Sequence, residues 1–204
     1  RIVQWGFKVI LKITGVKTTV IGEENIPDEA VLFVGNHRSY FDILLTYSRC
    51  KRLTGYVAKK EMEKYLTLTT WMRRLYCLFL DRSDPKQGLK TILTAIDYIK
   101  RGISICIFPE GTRNTGAELS LLPFKDGAFK IAQKTGCPII PMALTGTADI
   151  FENHFPKIRK THVVIEYQKP IYPDRLDKET KRHIGDHVES IIKETIEKNA
   201  NLYF

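Results

Sequence analysis

His37 and Asp42, in the segment NHRSYFD, are a histidine and a carboxylate at a spacing that limits how they can meet. On one helix, five residues turn the chain by about 500°, leaving the two side chains roughly 140° apart. On one strand, an odd separation puts them on opposite faces. They meet only where the chain changes direction, as at a strand–turn–helix. Residues 30–35, AVLFVG, read as a buried strand, with Asn36 and His37 directly after it and Ser39 placed to cap a following helix. An imidazole held by a carboxylate can act as a general base, the carboxylate fixing the tautomer and stabilising the imidazolium. No Gly-x-Ser-x-Gly elbow occurs and no nucleophilic Ser or Cys is signalled nearby, so the proton would come from a substrate hydroxyl. The same residues also fit a capping-box variant, in which Asp42 only holds a helix start.

A second constellation is FPEGTRN, residues 108–114, at the end of another apolar run. A Pro-Glu-Gly-Thr-Arg turn after a strand exposes backbone N–H groups beside one guanidinium. Both match phosphate oxygens. Taken alone, it also fits a solvated loop with a surface arginine.

The elements that must position these residues form an alternating pattern. Strand-length runs occupy 16–21, 30–35, 53–58, 77–80, 103–108, 138–144 and 162–167. Helical stretches occupy 42–50, 61–74, 86–101, 125–134 and 178–198. This predicts an α/β fold: a single domain with a mixed, mostly parallel sheet of about seven strands flanked by helices. Ligand sites in such folds lie at the carboxyl ends of strands. Ile2, Trp5, Val9, Ile13 and Val16 recur at helical spacing, with lysines on another face. Residues 1–16 therefore form an N-terminal amphipathic helix, packed on the core or lying at a membrane surface. The main domain is residues 17–199. Residues 201–204, NLYF, resemble part of a protease-cleavage tag, and 200–204 are set aside as a candidate tag remnant, although Ala200 stands where that tag has Glu.

With 204 residues and 43% hydrophobic content, the chain suits one globular domain. Lys and Arg total 32 against 23 acids, a formal charge of +9 that favours anionic partners. Cysteines 50, 77, 106 and 137 contain no CxxC pair and read as free thiols of a reducing compartment. No apolar run reaches the roughly 18 residues of a membrane span. The chain starts at Arg1, inside a helix, so a preceding segment, such as a membrane anchor, is expected.

Together the two constellations resemble the glycerolipid acyltransferase family, and bacterial 1-acylglycerol-3-phosphate acyltransferases in particular. Asn36, His37 and Asp42 match its Asn-His-x4-Asp motif, and Phe108 to Arg113 match Phe-Pro-Glu-Gly-Thr-Arg in full. FLDR, 79–82, is similar to the arginine-bearing second motif, and IIPM with Pro141 to the fourth. VAKKEM resembles the AKxEL segment, with Met62 for Leu, and PFKDGAF the FKxGAF stretch. The resemblance runs from about Val16 to Tyr167.

The resemblance implies O-acyl transfer from a thioester, carried by acyl carrier protein or coenzyme A, to lysophosphatidate, forming phosphatidic acid. It implies His37 and Asp42 as catalytic residues, and Asn36, Lys59, Arg82, Glu110, Gly111, Thr112 and Arg113 as substrate-binding residues. Pro141 would shape the acyl side. No metal or bound cofactor is implied, and the expected place is the cytoplasmic face of the inner membrane, on its surface. Rival expectations are transfer to glycerol 3-phosphate or another lysolipid, and a non-catalytic anionic-lipid-binding protein.

Other features have plainer readings. His183 and His187 have the spacing of a two-histidine metal site but sit among charges. The stripe from Met62 to Phe79 is core, a wall of an acyl tunnel, or a membrane-facing patch. No nucleic-acid motif appears, and no nucleic-acid partner is expected.

Overall fold

The structure, a computed structural model, describes residues 1–203. Seven strands form one sheet: β1 (Lys17–Ile21), β2 (Leu32–Gly35), β3 (Thr54–Lys59), β4 (Leu78–Leu80), β5 (Ser104–Ile107), β6 (Ile139–Thr145) and β7 (His162–Tyr167). Their order is β1-β7-β6-β2-β5-β3-β4, and every pair is parallel except β6 with β7. The predicted α/β fold with a mostly parallel sheet is what forms.

Alternation sorts the central strands onto two faces. Leu32, Val34, Ile105 and Ile107 pack with Ala95, Ile99, Ile131, Val188 and Ile192. These come from α4 (Pro85–Lys100), α5 (Lys130–Thr135) and α7 (Ile184–Tyr203). On the other face, Phe33, Cys106, Phe108 and Met142 pack with Phe41 and Leu45 of α2 (Phe41–Tyr47). With both faces covered, β2 reads LFVG and is buried throughout.

The helices depart in detail from the sequence pattern. The stretch expected over 61–74 begins as a 3-10 turn, Lys60–Lys64, before α3 (Leu66–Arg74). The stretch over 178–198 breaks at His183, separating α6 (Lys178–Arg182) from α7. Helix α7 runs through residues 200–203 of the tag-like segment, whose residue 204 lies outside the described residues.

Helix α1 (Ile2–Ile13) forms as expected, but its predicted apolar stripe is not the face that packs. Gln4 Nε2 donates to the carbonyls of Tyr47 and Cys50, which closes the end of α2, and Phe7 meets Tyr47 edge-to-face. Ile2, Trp5 and Ile13 face outward, 79%, 68% and 79% exposed. Among the described residues no helix is long and apolar enough to cross a membrane.

Candidate active site

Strands β2 and β5 lie side by side with Phe33 against Cys106, a register that carried three residues past Val34 and Ile107 sets position 37 against position 110. His37 therefore stands beside Glu110, and its backbone N–H donates to Glu110 Oε1 at 2.7 Å. The two constellations are one structure. The second carboxylate oxygen of Glu110 accepts from Leu122 N at 2.9 Å. Burial pushes the Glu110 carboxyl above its ordinary value, opposed by these two N–H groups.

The turn between β2 and α2 brings His37 Nδ1 within 2.8 Å of Asp42 Oδ2. The same oxygen accepts the backbone N–H groups of Arg38 and Ser39, each at 2.8 Å. Ser39 Oγ accepts from Phe41 N, although Tyr40 occupies the N-cap position itself. Capping and dyad are thus not alternatives: one buried carboxylate holds both the turn and the imidazole. The ring stacks on Phe108, with centroids 4.4 Å apart. With Nδ1 engaged, Nε2 has no protein partner among the described residues.

Cations gather around the Pro-Glu-Gly-Thr-Arg turn. Gly111 adopts φ 76°, and a Cβ there would lie 2.9 Å from Arg82 Cζ. Only glycine lets the guanidinium rest against the turn in this conformation. Lys59 Nζ reaches Thr112 Oγ1 at 3.4 Å. Lys60 pairs with Asp81 at 2.7 Å, which joins the lysine segment to the FLDR segment and holds the Asp81 carboxyl well below the usual range. Among the described residues Arg82 and Lys59 have no carboxylate partner. Arg113 does: Glu152 Oε1 at 3.0 Å, with Tyr40 Oη at 3.1 Å and the Tyr40 ring beneath the guanidinium at 3.8 Å.

Two residues expected to touch substrate are spent on the frame. The Asn36 amide is 1% exposed; it donates to Leu144 O at 2.9 Å and accepts from Leu144 N at 2.8 Å, tying β2 to β6. Glu110, 3% exposed, has both oxygens on backbone. Pro141 lies buried in β6, opposite Val34.

Sequence reasoning missed Arg38 and Glu118. The buried Arg38 guanidinium donates to Gly116 O and Ala117 O and lies 3.1 Å from Glu118. The other Glu118 oxygen accepts from Gly146 N. Burial pushes the Glu118 carboxyl up. This clamp pins the segment after Arg113 across the end of β2. Arg38 stands inside NHRSYFD, but nothing in the sequence signals that it is buried.

A cavity of about 360 Å³ opens beside Arg82, Phe108 and Gly111 and runs between the sheet and α4, lined by Val57, Leu80, Ile92, Ala95 and Ile131. A smaller one, about 180 Å³, lies at the amino ends of the strands under Val31, Thr54 and Ser104. The four cysteines are unpaired, and burial raises every thiol. His183 pairs with Asp186 at 3.4 Å, and the described residues contain no cluster of three or more metal-ligating side chains.

A turn-held histidine–aspartate pair above a parallel sheet, beside a cation-lined glycine turn, defines a class, and the acyltransferase family model matches residues 17–145, more than half of the chain. The chain belongs to the acyltransferase family. It is 30% identical over 187 residues to the 1-acyl-sn-glycerol-3-phosphate acyltransferase of Saccharomyces cerevisiae, covering 91% of this chain and 60% of that one. It is 28% identical over 203 residues to a probable 1-acyl-sn-glycerol-3-phosphate acyltransferase of Mycoplasma pneumoniae, covering 92% and 74%. The crystal structure of the 1-acyl-sn-glycerophosphate (LPA) acyltransferase PlsC from Thermotoga maritima superposes with a TM-score of 0.80 at 25% identity, over 96% of this chain and 78% of that one. The chain thus spans about 60% of the length of the yeast relative.

Proposed function

We propose that this domain transfers a fatty acyl group from a thioester to the free hydroxyl of 1-acylglycerol 3-phosphate, forming phosphatidic acid. The reading is carried by one observation: the Asp42 carboxylate holds His37 through Nδ1, and Glu110 ties the same residue to the glycine turn against which Arg82 rests. Nε2 takes the proton of the acceptor hydroxyl as its oxygen bonds to the thioester carbonyl carbon. The carbonyl oxygen becomes an oxyanion. Its collapse breaks the carbon–sulfur bond, and the departing thiolate recovers the proton from the imidazolium.

The acceptor phosphate is assigned first to Arg82 and Lys59, whose charges are uncompensated, with Gly111 and Thr112 forming the turn beneath it. Arg113 is a second phosphate contact that must exchange Glu152 for the ligand. Asn36 and Glu110 hold the frame. The 360 Å³ apolar cavity next to Arg82 takes an acyl chain. The donor is acyl carrier protein or acyl-CoA, and the protein works on the membrane surface, at the cytoplasmic face of the inner membrane. The outward Ile2, Trp5 and Ile13 of α1 support that placement.

Thiol release from acyl-CoA and acyl carrier protein thioesters, with lysophosphatidate, glycerol 3-phosphate and other lysolipids as acceptors in detergent, tests the reading. Release that depends on lysophosphatidate is expected. Absence of release with every donor would refute it.

A further inference from the structure

The apolar stripe from Met62 to Phe79 has three readings in the sequence, and the structure removes two of them for its α3 portion. Tyr65, Leu66, Leu68 and Trp71 are exposed, Leu66 at 78%, so they are not core. None of the four lines the cavity beside Arg82, so they are not a tunnel wall. A short helix presenting three large apolar side chains outward, with Tyr65 just before it, is unusual unless something covers it.

The charges around it point to the occupant. Residues 59–74 hold five cations, Lys59, Lys60, Lys64, Arg73 and Arg74, and two acids, Glu61 and Glu63. Each exposed aromatic has a cation against it. Lys64 Nζ lies 5.0 Å from the Tyr65 ring centre, and Arg74 Cζ lies 5.7 Å from that of Trp71. Arg73 is satisfied by Glu63 and Lys60 by Asp81, whereas Lys64 and Arg74 have no acidic partner among the described residues. A second copy docking here face to face would set these cations against their own counterparts. Protein interfaces are also depleted in lysine, the type of Lys64. A bilayer boundary offers adjacent layers for both groups, acyl chains for the leucines and aromatics and phosphates for the cations.

We propose that α3 is a bilayer contact: Leu66, Leu68 and Trp71 enter the headgroup–acyl boundary of an anionic membrane while Lys64 and Arg74 meet lipid phosphates. One 3-10 turn, Lys60–Lys64, joins the helix to the end of β3 at Lys59, whose ammonium touches Thr112 of the glycine turn, so the contact brings the lipid surface to that turn. Its purpose rests on the reading that the acceptor is a membrane lipid. The contact itself is measurable without turnover.

The chain has two tryptophans, so Trp5→Phe leaves Trp71 as the only indole reporter. In that variant of the 204-residue chain, vesicles of phosphatidylglycerol and phosphatidylcholine should shift Trp71 emission to the blue, and brominated acyl chains should quench it. Both effects should weaken with pure phosphatidylcholine and with high salt. Leu66→Asp/Leu68→Asp, both exposed, should keep the thermal midpoint and the acyl transfer measured in detergent, while vesicle affinity falls at least ~tenfold. Unchanged Trp71 emission with vesicles overturns the proposal whether or not the protein binds them. So does a shift produced without lipid, by self-association or by an acidic carrier protein. Failure of transfer in detergent with the vesicle response intact would count against the acyltransfer reading alone.

Discussion

Glu110 Oε1 accepts the backbone N–H of His37 at 2.7 Å, and through this bond the glycine turn after β5 fixes the residue that carries the imidazole. The carboxylate is buried against backbone rather than offered to a ligand, and its pKa is raised by that burial. A raised carboxyl contributes stability that is fully present below the ordinary carboxylate value, about 4.3, and is lost as pH rises through the raised value. The stability of wild type relative to Glu110→Gln should therefore shift in favour of wild type as pH falls from 7 towards 4.5. Urea unfolding of both proteins across that window checks it; a constant difference, or the reverse slope, would contradict the burial argument.

Gly111→Ala places a methyl group 2.9 Å from Arg82 Cζ and holds a non-glycine residue at φ 76°. The expected backbone strain is about 1–3 kcal/mol. The displaced guanidinium should also raise the acceptor KM while the donor KM stays unchanged. An unaltered acceptor KM would argue against a place for Gly111 in acceptor binding.

Arg82 and Arg113 should differ. Arg82 has no acidic partner, so Arg82→Ala should raise the lysophosphatidate KM by roughly tenfold to a hundredfold, the worth of one charge-assisted contact. Arg113 already spends part of its charge on Glu152, and Arg113→Ala should raise KM less. Acceptor titrations at saturating donor measure both, and the opposite order would exchange the two roles.

Asn36→Leu should act on stability before chemistry. It strips both partners from the Leu144 backbone in a buried position, at about 1–3 kcal/mol for each group left unpaired. The thermal midpoint should fall by several degrees. A midpoint within a degree of wild type would show that water replaces the amide.

Much of this arrangement was legible in the chain. The five-residue spacing of His37 and Asp42 required a change of direction after a strand, and the turn between β2 and α2 supplies it. The strand-length runs sit close to the strands that form, because buried parallel strands need uninterrupted apolar residues. Other features depend on long-range packing. Adjacency of β2 and β5, which turns Glu110 into a support for His37, is a matter of strand order that spacing does not encode. The clamp of Arg38 on residues 116–118 joins segments about 80 residues apart, and local sequence shows only an arginine beside a histidine. The stripe of α1 did not decide between its two placements, because Gln4, a polar residue, makes the contact that docks the helix.

In the proposed reaction His37, held by Asp42, removes the proton of the acceptor hydroxyl. Purified His37→Ala, assayed for thiol release with an acyl thioester and saturating lysophosphatidate, tests it most directly. A loss of about a hundredfold to ten-thousandfold in kcat is expected, the range for a positioned general base, with an unchanged fold by circular dichroism. Turnover within threefold of wild type in a folded His37→Ala protein would contradict it.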